Sequence, residues 1–218
     1  MNRLPSLVRQ HIAALRAMVV FTAVCGILYP VVMWGISQVA FKDQANGSLV
    51  SYNGKVVGSS LLCQEFVNAK GDPLPQYFQS RPSNASNEDV KTDYGCDAGF
   101  SAAANLGPTN PTLTQDVKQL QAQIAAFDHV KVSQIPPDAV TSSGSGLDPD
   151  ISPQNADIQE NRVAQARGLS VAVVKSLVAK NTHGRDLGFL GEPVVDVLTL
   201  NIALDELPGQ AKFAKAGA

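Results

Sequence analysis

Few side chains in this chain have the type and spacing that catalysis requires. Gly144-Ser145-Gly146 resembles the turn that exposes a nucleophilic serine in hydrolases, and the histidines are His11, His129 and His183. The hydrolase pattern needs glycine two residues before the serine, whereas residue 143 is Ser. A hydrolase that uses Ser145 and His183 is therefore kept only as the alternative to a protein with no chemistry of its own.

Binding of a nucleotide or metal by this chain itself is not supported by any pattern. The phosphate-binding loop Gly-x-x-x-x-Gly-Lys-Ser/Thr is missing, because the one Gly-Lys pair, Gly54-Lys55, is followed by valine. The turn of residues 143–146 could offer N–H groups to a phosphate, but Asp148 and Asp150 would repel an anion there. His and Cys residues lack the spacing of a metal site. We expect no metal and no cofactor on this chain.

The three cysteines differ in their surroundings. Cys25 lies in a long apolar run and should behave as a small apolar residue. Cys63 and Cys96 lie in the polar remainder, where they are either a disulfide or two unrelated free thiols. A disulfide would persist only outside the cytoplasm, so the choice depends on where this part of the chain lies.

The apolar run, residues 17–41, has 25 residues and no charge. As a helix it would be about 37 Å long, more than the ~30 Å hydrocarbon core of a bilayer. Arg3, Arg9 and Arg16 precede it without any acidic residue, which favours a cytoplasmic N-terminal flank of residues 1–16. We therefore predict one transmembrane helix and an extracytoplasmic domain over residues 42–207.

A cleavable signal peptide and a buried soluble helix both fit the run less well than a membrane anchor. A signal peptide has an apolar region of about 7–15 residues, and the candidate cleavage sites near Ala40 and Ala45 place Gln38 and Asp43 where a small residue is needed. A buried soluble helix would carry an apolar stripe, whereas this segment is apolar on all sides. Pro30, in mid-span, should bend the helix.

The remaining 177 residues are enough for one domain with a core. They carry 14 basic and 19 acidic residues, a net charge of −5. This balance excludes the basic surface of a nucleic-acid-binding protein.

Local signals predict a mixed α/β domain. Asn53-Gly54 favours a β-hairpin, residues 60–67 a short helix, and residues 70–107 irregular structure held by Tyr77 and Phe78. Asn110 and Pro111 should begin an amphipathic helix whose apolar stripe covers the core; the stripe comprises Leu113, Val117, Leu120, Ile124 and Phe127.

Later signals predict two helices and a strand. Ser152 and Gly168 should delimit one helix, and Ser170 should cap a second that ends near Asn181. The β-branched run of residues 193–201 favours a strand, and the tail of residues 208–218 is expected to be loose.

Several short segments follow one another in a recognisable order: Gly47-Ser-Leu-Val, Gly58-Ser-Ser-Leu, Tyr77-Phe-Gln-Ser-Arg-Pro-Ser83, Asn105-Leu-Gly-Pro-Thr-Asn-Pro111, Thr141-Ser-Ser-Gly-Ser-Gly-Leu-Asp-Pro149, Ile151-Ser-Pro153, Arg162-Val-Ala-Gln-Ala-Arg-Gly168 and Val197-Leu-Thr-Leu-Asn201. With these segments the chain resembles, from the apolar run to about Leu207, the small C subunit of the Kdp potassium-transporting ATPase.

The resemblance implies an accessory subunit without catalysis of its own in a bacterial inner-membrane complex that imports K⁺ with ATP. Its expected partners are a channel-like K⁺-translocating subunit, a P-type ATPase subunit and the membrane lipid, with ATP and K⁺ handled by the complex. The family is described as a catalytic chaperone that raises the affinity of the ATPase subunit for ATP. With the domain outside the cell, that effect would be a coupling between distant sites.

Six residues of these motifs are predicted to position the domain or contact a partner: Arg81, Asn105, Asn110, Ser143, Ser145 and Asp148. For each of them a purely structural role as a turn or helix cap is an equal alternative.

Overall fold

The computed structural model describes residues 5–86 and 95–209. Arg3, most of the tail predicted to be loose and part of the long polar loop lie outside these residues. The chain divides after Ser48 into two compact units, and each is described by itself.

The N-terminal unit is built around one continuous helix, Ser6–Ala40, of 35 residues. It comprises α1 (Ser6–Phe21), a π-helical segment (Thr22–Leu28) and α2 (Tyr29–Ala40), and α3 (Lys42–Ala45) follows. The helix has a mean hydropathy of 2.1 over its most apolar window, and no residue of that window is buried. By length and composition, it can span a membrane.

The π-helical segment ends at Leu28, two residues before Pro30, whose ring lies in the first turn of α2. The N–H of Tyr29 donates to the carbonyl of Val24, five residues earlier. Proline has no N–H and would collide with the carbonyl four residues before it, that of Gly26. The wider helix gives that carbonyl room, so the helix continues through the proline.

The second unit begins with the predicted hairpin, β1 (Leu49–Tyr52) and β2 (Lys55–Ser59), paired antiparallel. Asn53 and Gly54 have φ angles of +51° and +76°, the geometry of a type I′ turn. The local prediction is confirmed.

Residues 60–67 do not form the predicted helix. The N–H of Cys63 donates to the distant carbonyl of Leu147 at 3.0 Å, and the carbonyl of Phe66 accepts from Leu74 at 2.9 Å. Leu61, predicted to be buried, is 58% exposed. Tertiary hydrogen bonds therefore replace the helical ones in this segment.

Helix α4 (Pro111–Asp128) starts as predicted, with the Asn110 side chain accepting from the N–H of Thr112. Its apolar stripe, however, is only half-buried, so the prediction that it covers the core is wrong in part. The one buried side chain of α4 is instead that of Asp128.

Helices α5 (Pro153–Arg167) and α6 (Val171–Lys180) pack against each other and have the predicted caps. The side chains of Ser152 and Ser170 accept from backbone N–H groups, and Gly168 closes α5 with φ +64°.

The predicted strand over residues 193–201 is wrong in its second half. Residues Val194–Asp196 form β5, the centre of an antiparallel sheet with β3 (Asp150–Ile151) and β4 (Thr182–His183). The chain then enters helix α7 (Val197–Asp205), since the side chain of Asp196 accepts from the N–H of Thr199 and starts the helix.

The core lies between α5, α6, α7 and the small sheet. Its largest fully buried side chains include Phe78, Ile151, Leu198, Leu200, Leu204 and Val163. Helix α7 is buried on nearly every side, which explains why its sequence has the composition of a buried strand.

Candidate functional site

Arg81 fastens the turn that contains three of the six predicted site residues. Its Nη1 lies 2.8 Å from Oδ2 of Asp148, and its Nε and Nη2 donate to the carbonyl of Thr141 at 3.4 and 3.3 Å. One guanidinium thus holds both ends of the segment 141–148. Because both side chains are about a quarter exposed, the pair fixes geometry more than it adds stability.

Within this turn the two serines act on the backbone. Oγ of Ser143 accepts from the N–H of Gly146 at 2.9 Å, and Oγ of Ser145 accepts from the N–H of Leu147 at 3.1 Å. Gly146 has φ +73°, and a Cβ there would lie 2.4 Å from the carbonyl oxygen of Ala102, so only glycine fits.

Cys63 and Cys96 form a disulfide beside the turn, with an S–S distance of 1.99 Å. Ser83 links the turn to the disulfide, because its hydroxyl donates to the carbonyl of Gly146 at 2.6 Å and accepts from the N–H of Cys96 at 2.9 Å. The disulfide, the turn and the segment that begins at Arg81 therefore form one cross-linked surface.

Two clefts run beside the apolar stripe of α4. The first, of about 580 Å³, is lined by Asn105, Ser143 and the stripe residue Leu113. The second, of about 460 Å³, is lined by Arg81, Gln159 and the stripe residue Phe127. Pro82 and Leu120 line both clefts, and this explains why the stripe is half-buried: it borders open grooves.

The structure brings most of the predicted site residues together. Ser143, Ser145 and Asp148 belong to the turn that Arg81 holds, and Asn105, with φ +51°, lines the neighbouring cleft. Asn110 is apart from them and caps α4.

A second cluster was missed by the sequence reasoning: polar side chains of α5 and α7 that clamp residues 75–79. The amide of Asn201 accepts from the N–H of Phe78 and donates to its carbonyl, both at 2.9 Å. The amide of Gln159 does the same for Gln79, at 2.7 and 3.2 Å. The backbone of this irregular segment is thereby hydrogen-bonded on both its N–H and C=O groups, as it would be beside a β-strand.

Arg162 is the buried centre of this clamp. Its Nε lies 2.6 Å from Oδ1 of Asp128, and its Nη1 donates to the carbonyls of Pro75 and Tyr77 at 2.7 and 2.8 Å. The guanidinium also lies over the ring of Phe127, at 4.4 Å from the centroid. Burial lowers the pKa of Arg162 and raises that of Asp128, and each partner opposes the shift of the other.

Arg167 completes the clamp at the end of α5. It pairs with Asp205 of α7 at 2.7 Å and donates to the carbonyl of Gln76 at 2.6 Å. Tyr77 lies under the guanidinium and donates its hydroxyl to Asp205 at 3.1 Å. Burial, followed by the charge of Asp205, raises the pKa of Tyr77 to about 12.

One signal could have revealed the clamp. Asn155, Gln159 and Arg162 are spaced by four and three residues, so they form a polar stripe on one face of α5, and that face is buried. Buried polar side chains are normally hydrogen-bonded, which makes such a stripe evidence for a partner segment.

The alternative hydrolase finds no support. The hydroxyl of Ser145 contacts Leu147 and Ser143, at 3.1 and 3.4 Å, while His183 pairs with Val194 in the sheet. Within residues 5–86 and 95–209, no three His, Cys, Asp or Glu side chains are grouped so that they could hold a metal ion.

Fold and site thus define a class: a mixed helix–sheet domain, clamped by buried polar side chains, that follows one helix able to span a membrane. A family model described as K⁺-transporting ATPase, c chain (KdpC) matches residues 11–206. The chain belongs to this KdpC family.

Individual relatives agree with the family match. The KdpC subunit of the potassium-transporting ATPase of Streptomyces avermitilis is 48% identical over 207 residues, which cover 89% of this chain and 92% of the relative. The KdpC subunit of Sorangium cellulosum is 49% identical, with 88% and 95% covered. That of Mycobacterium tuberculosis is 44% identical, with 91% and 99% covered. All three are named as subunits of a complex rather than as separate enzymes.

Proposed function

We propose that this chain is a non-catalytic accessory subunit of an ATP-driven potassium importer. The observation that carries the proposal is the family match over residues 11–206, together with relatives at 44–49% identity that are named KdpC subunits. Its partners are a channel-like subunit and a P-type ATPase subunit, as the family resemblance implies. ATP and K⁺ are handled by those partners.

The helix Ser6–Ala40 anchors the subunit in the inner membrane, with the domain outside the cytoplasm. Arginines without acidic residues on the N-terminal flank support this orientation. The disulfide between Cys63 and Cys96 supports it independently, since disulfides are rare in the cytosol.

The subunit promotes ATP binding by the ATPase subunit through coupling between distant sites, because its domain and cytoplasmic ATP lie on opposite sides of the membrane. The segment 141–148, held by Arg81, is the element that positions the domain for this coupling. The fixed position of this segment supports that role: it is tied to Arg81, Ser83 and Cys63 by hydrogen bonds and lies beside a disulfide.

Co-purification and kinetics test the assembly. The tagged full chain, expressed with the other subunits and extracted in detergent, should bring down large multi-span partners in stoichiometric amounts. Omitting the chain should raise the KM for ATP of the remaining ATPase, and Arg81→Ala should raise it in part. Ser145→Ala should leave co-purification unchanged. Failure of the full chain to bring down any multi-span partner would refute the proposal.

Labelling tests the orientation. In a Cys25→Ser background, a membrane-impermeant maleimide should label Cys63 and Cys96 in intact spheroplasts after reduction. In a matched chain with those two residues changed to serine and with Ser6→Cys added, labelling should require lysis. The reverse pattern would place the domain in the cytosol.

A further inference from the structure

The loop of residues 185–192, between β4 and β5, presents apolar side chains to solvent. Leu187, Phe189 and Leu190 are 83%, 69% and 50% exposed. Elsewhere in residues 49–86 and 95–209, the exposed large apolar side chains are scattered singly along the chain. Scattered residues of this kind are normal, whereas three within four positions indicate a surface that is covered in the working protein.

The loop of residues 185–192, called the tip loop below, has a defined shape. The N–H and carbonyl of Asp186 pair with the carbonyl and N–H of Leu190, both at 2.9 Å, and the N–H of Gly188 donates to the carbonyl of Arg185 at 3.1 Å. Nη2 of Arg185 lies 2.5 Å from Oε2 of Glu192 and closes the base. The apolar side chains are therefore held outward by the backbone, which reduces the entropy that would be lost on docking.

We infer that the tip loop inserts into an apolar pocket on a membrane-embedded partner subunit of the complex. The inference rests on the proposed function, which supplies such partners. None of the six predicted site residues belongs to this loop, so it would be a separate contact surface.

Charge and backbone argue against lipid as the occupant. Residues 185–192 carry one basic and two acidic side chains, and the domain as a whole is acidic, so the loop lacks the basic surface that would attract anionic lipid. At Gly184, Gly188 and Gly191 an added Cβ would meet no other atom within 4 Å, so the described part of the domain does not pack over these positions. Lipid cannot supply hydrogen-bond partners to irregular backbone of this kind, whereas a protein pocket can.

Size argues against a second copy of this chain. A stable interface takes about 20–30 residues on each side, and the tip loop offers three apolar side chains. It is suited to be the anchoring contact inside a larger interface with a different protein, where a few central side chains carry most of the binding energy.

The test places a photo-crosslinking benzoylphenylalanine at residue 189 of the tagged full chain, expressed with the other subunits. Irradiation should give an adduct with a multi-span subunit, at a yield about tenfold or more above that from the same probe at Leu61, which is 58% exposed. The probe is apolar and aromatic like Phe189, so the loop need not refold to accept it.

A second measurement uses a probe at residue 190. Adding Phe189→Asp or Leu187→Asp to that chain should lower its crosslinking yield, whereas adding Leu61→Asp should leave the yield unchanged. Adducts only with lipid or with a second copy, or equal yields at residues 189 and 61, would overturn the inference while leaving the proposed function intact. If the unmodified chain brings down no multi-span subunit, the proposed function fails and this inference fails with it.

Discussion

Asn201 and Phe78 exchange two hydrogen bonds of 2.9 Å, the side-chain amide of one with the backbone N–H and C=O of the other. Both residues are fully buried. A side chain of a helix thus supplies the hydrogen bonds that the irregular backbone at Phe78 would otherwise lack. Because buried backbone groups must be paired, the stability of the domain depends on this side chain.

Replacing Asn201 with leucine should therefore be costly. Asn201→Leu keeps the size of the side chain but leaves the N–H and C=O of Phe78 without partners, and we expect a loss of about 2–4 kcal/mol in the free energy of unfolding. Thermal unfolding of the full chain in detergent measures it. Asn161→Leu, at an exposed position of α5, should change stability by less than about 0.5 kcal/mol. A change for Asn201→Leu as small as that of the control would contradict the clamp.

The pair formed by Arg162 and Asp128 makes a second prediction. Arg162→Met strands a buried carboxylate, and the expected loss is about 3–5 kcal/mol. Adding Asp128→Leu should restore on the order of 1–2 kcal/mol, since the unpaired charge is then removed. A double-mutant cycle by denaturant unfolding checks both values. Arg185→Met, which breaks an exposed pair, should cost less than about 1 kcal/mol. If the double variant is less stable than Arg162→Met, the unpaired charge of Asp128 does not account for the loss of stability.

Glu160 should make stability depend on pH. Burial raises the pKa of its carboxyl, and the charge of Lys175 offsets this in part. A raised pKa means that the folded state holds the proton more tightly, so ionised Glu160 costs stability above its folded pKa and costs none below its ordinary value of 4.5. Glu160→Gln should therefore stabilise the protein at pH 7, and the gain should shrink as the pH falls through the raised folded pKa and be absent below about 4.5.

Urea unfolding at several pH values measures this difference. Lys175→Met is the matched variant, because removing the offsetting charge should destabilise the protein at neutral pH and have less effect in acid. A pH-independent difference between Glu160→Gln and the unmodified chain would refute the assignment.

The disulfide makes a fourth prediction. Cys63 and Cys96 are 33 residues apart, and closing a loop of that length stabilises a fold by roughly 3–4 kcal/mol. Cys63→Ala with Cys96→Ala should lose about that amount, whereas Cys25→Ala should be close to neutral for the domain. Alkylation without reduction, followed by mass spectrometry, should modify Cys25 alone in the denatured full chain. Modification of Cys63 and Cys96 would show that the bond does not form.

The elements that could be predicted are those whose signals are local. The absence of charge predicted a helix long and apolar enough to span a membrane, and the structure has such a helix, although it starts at Ser6, eleven residues before the apolar run. Asn53-Gly54, Ser152, Gly168 and Ser170 each fixed a turn or a helix end, because the hydrogen bonds involved join residues only a few positions apart.

The two errors in secondary structure have one cause in common. Residues 60–67 and 197–201 were assigned from composition, and in both the decisive partner was missed: the carbonyl of Leu147 for the first, the capping carboxylate of Asp196 for the second. Apolar β-branched residues fit a buried helix as well as a buried strand, so composition alone could not choose between them.

The amino-acid sequence by itself determined the long apolar helix, the caps and most helix boundaries, since these depend on charge, periodicity and contacts within one turn. Tertiary structure alone decided that Arg81 holds the turn at residues 141–148, that Gln159, Arg162 and Asn201 clamp residues 75–79, and that the stripe of α4 borders open clefts. The physical reason is that these contacts join residues some 60 to 120 positions apart, and which distant groups meet depends on packing of the whole core.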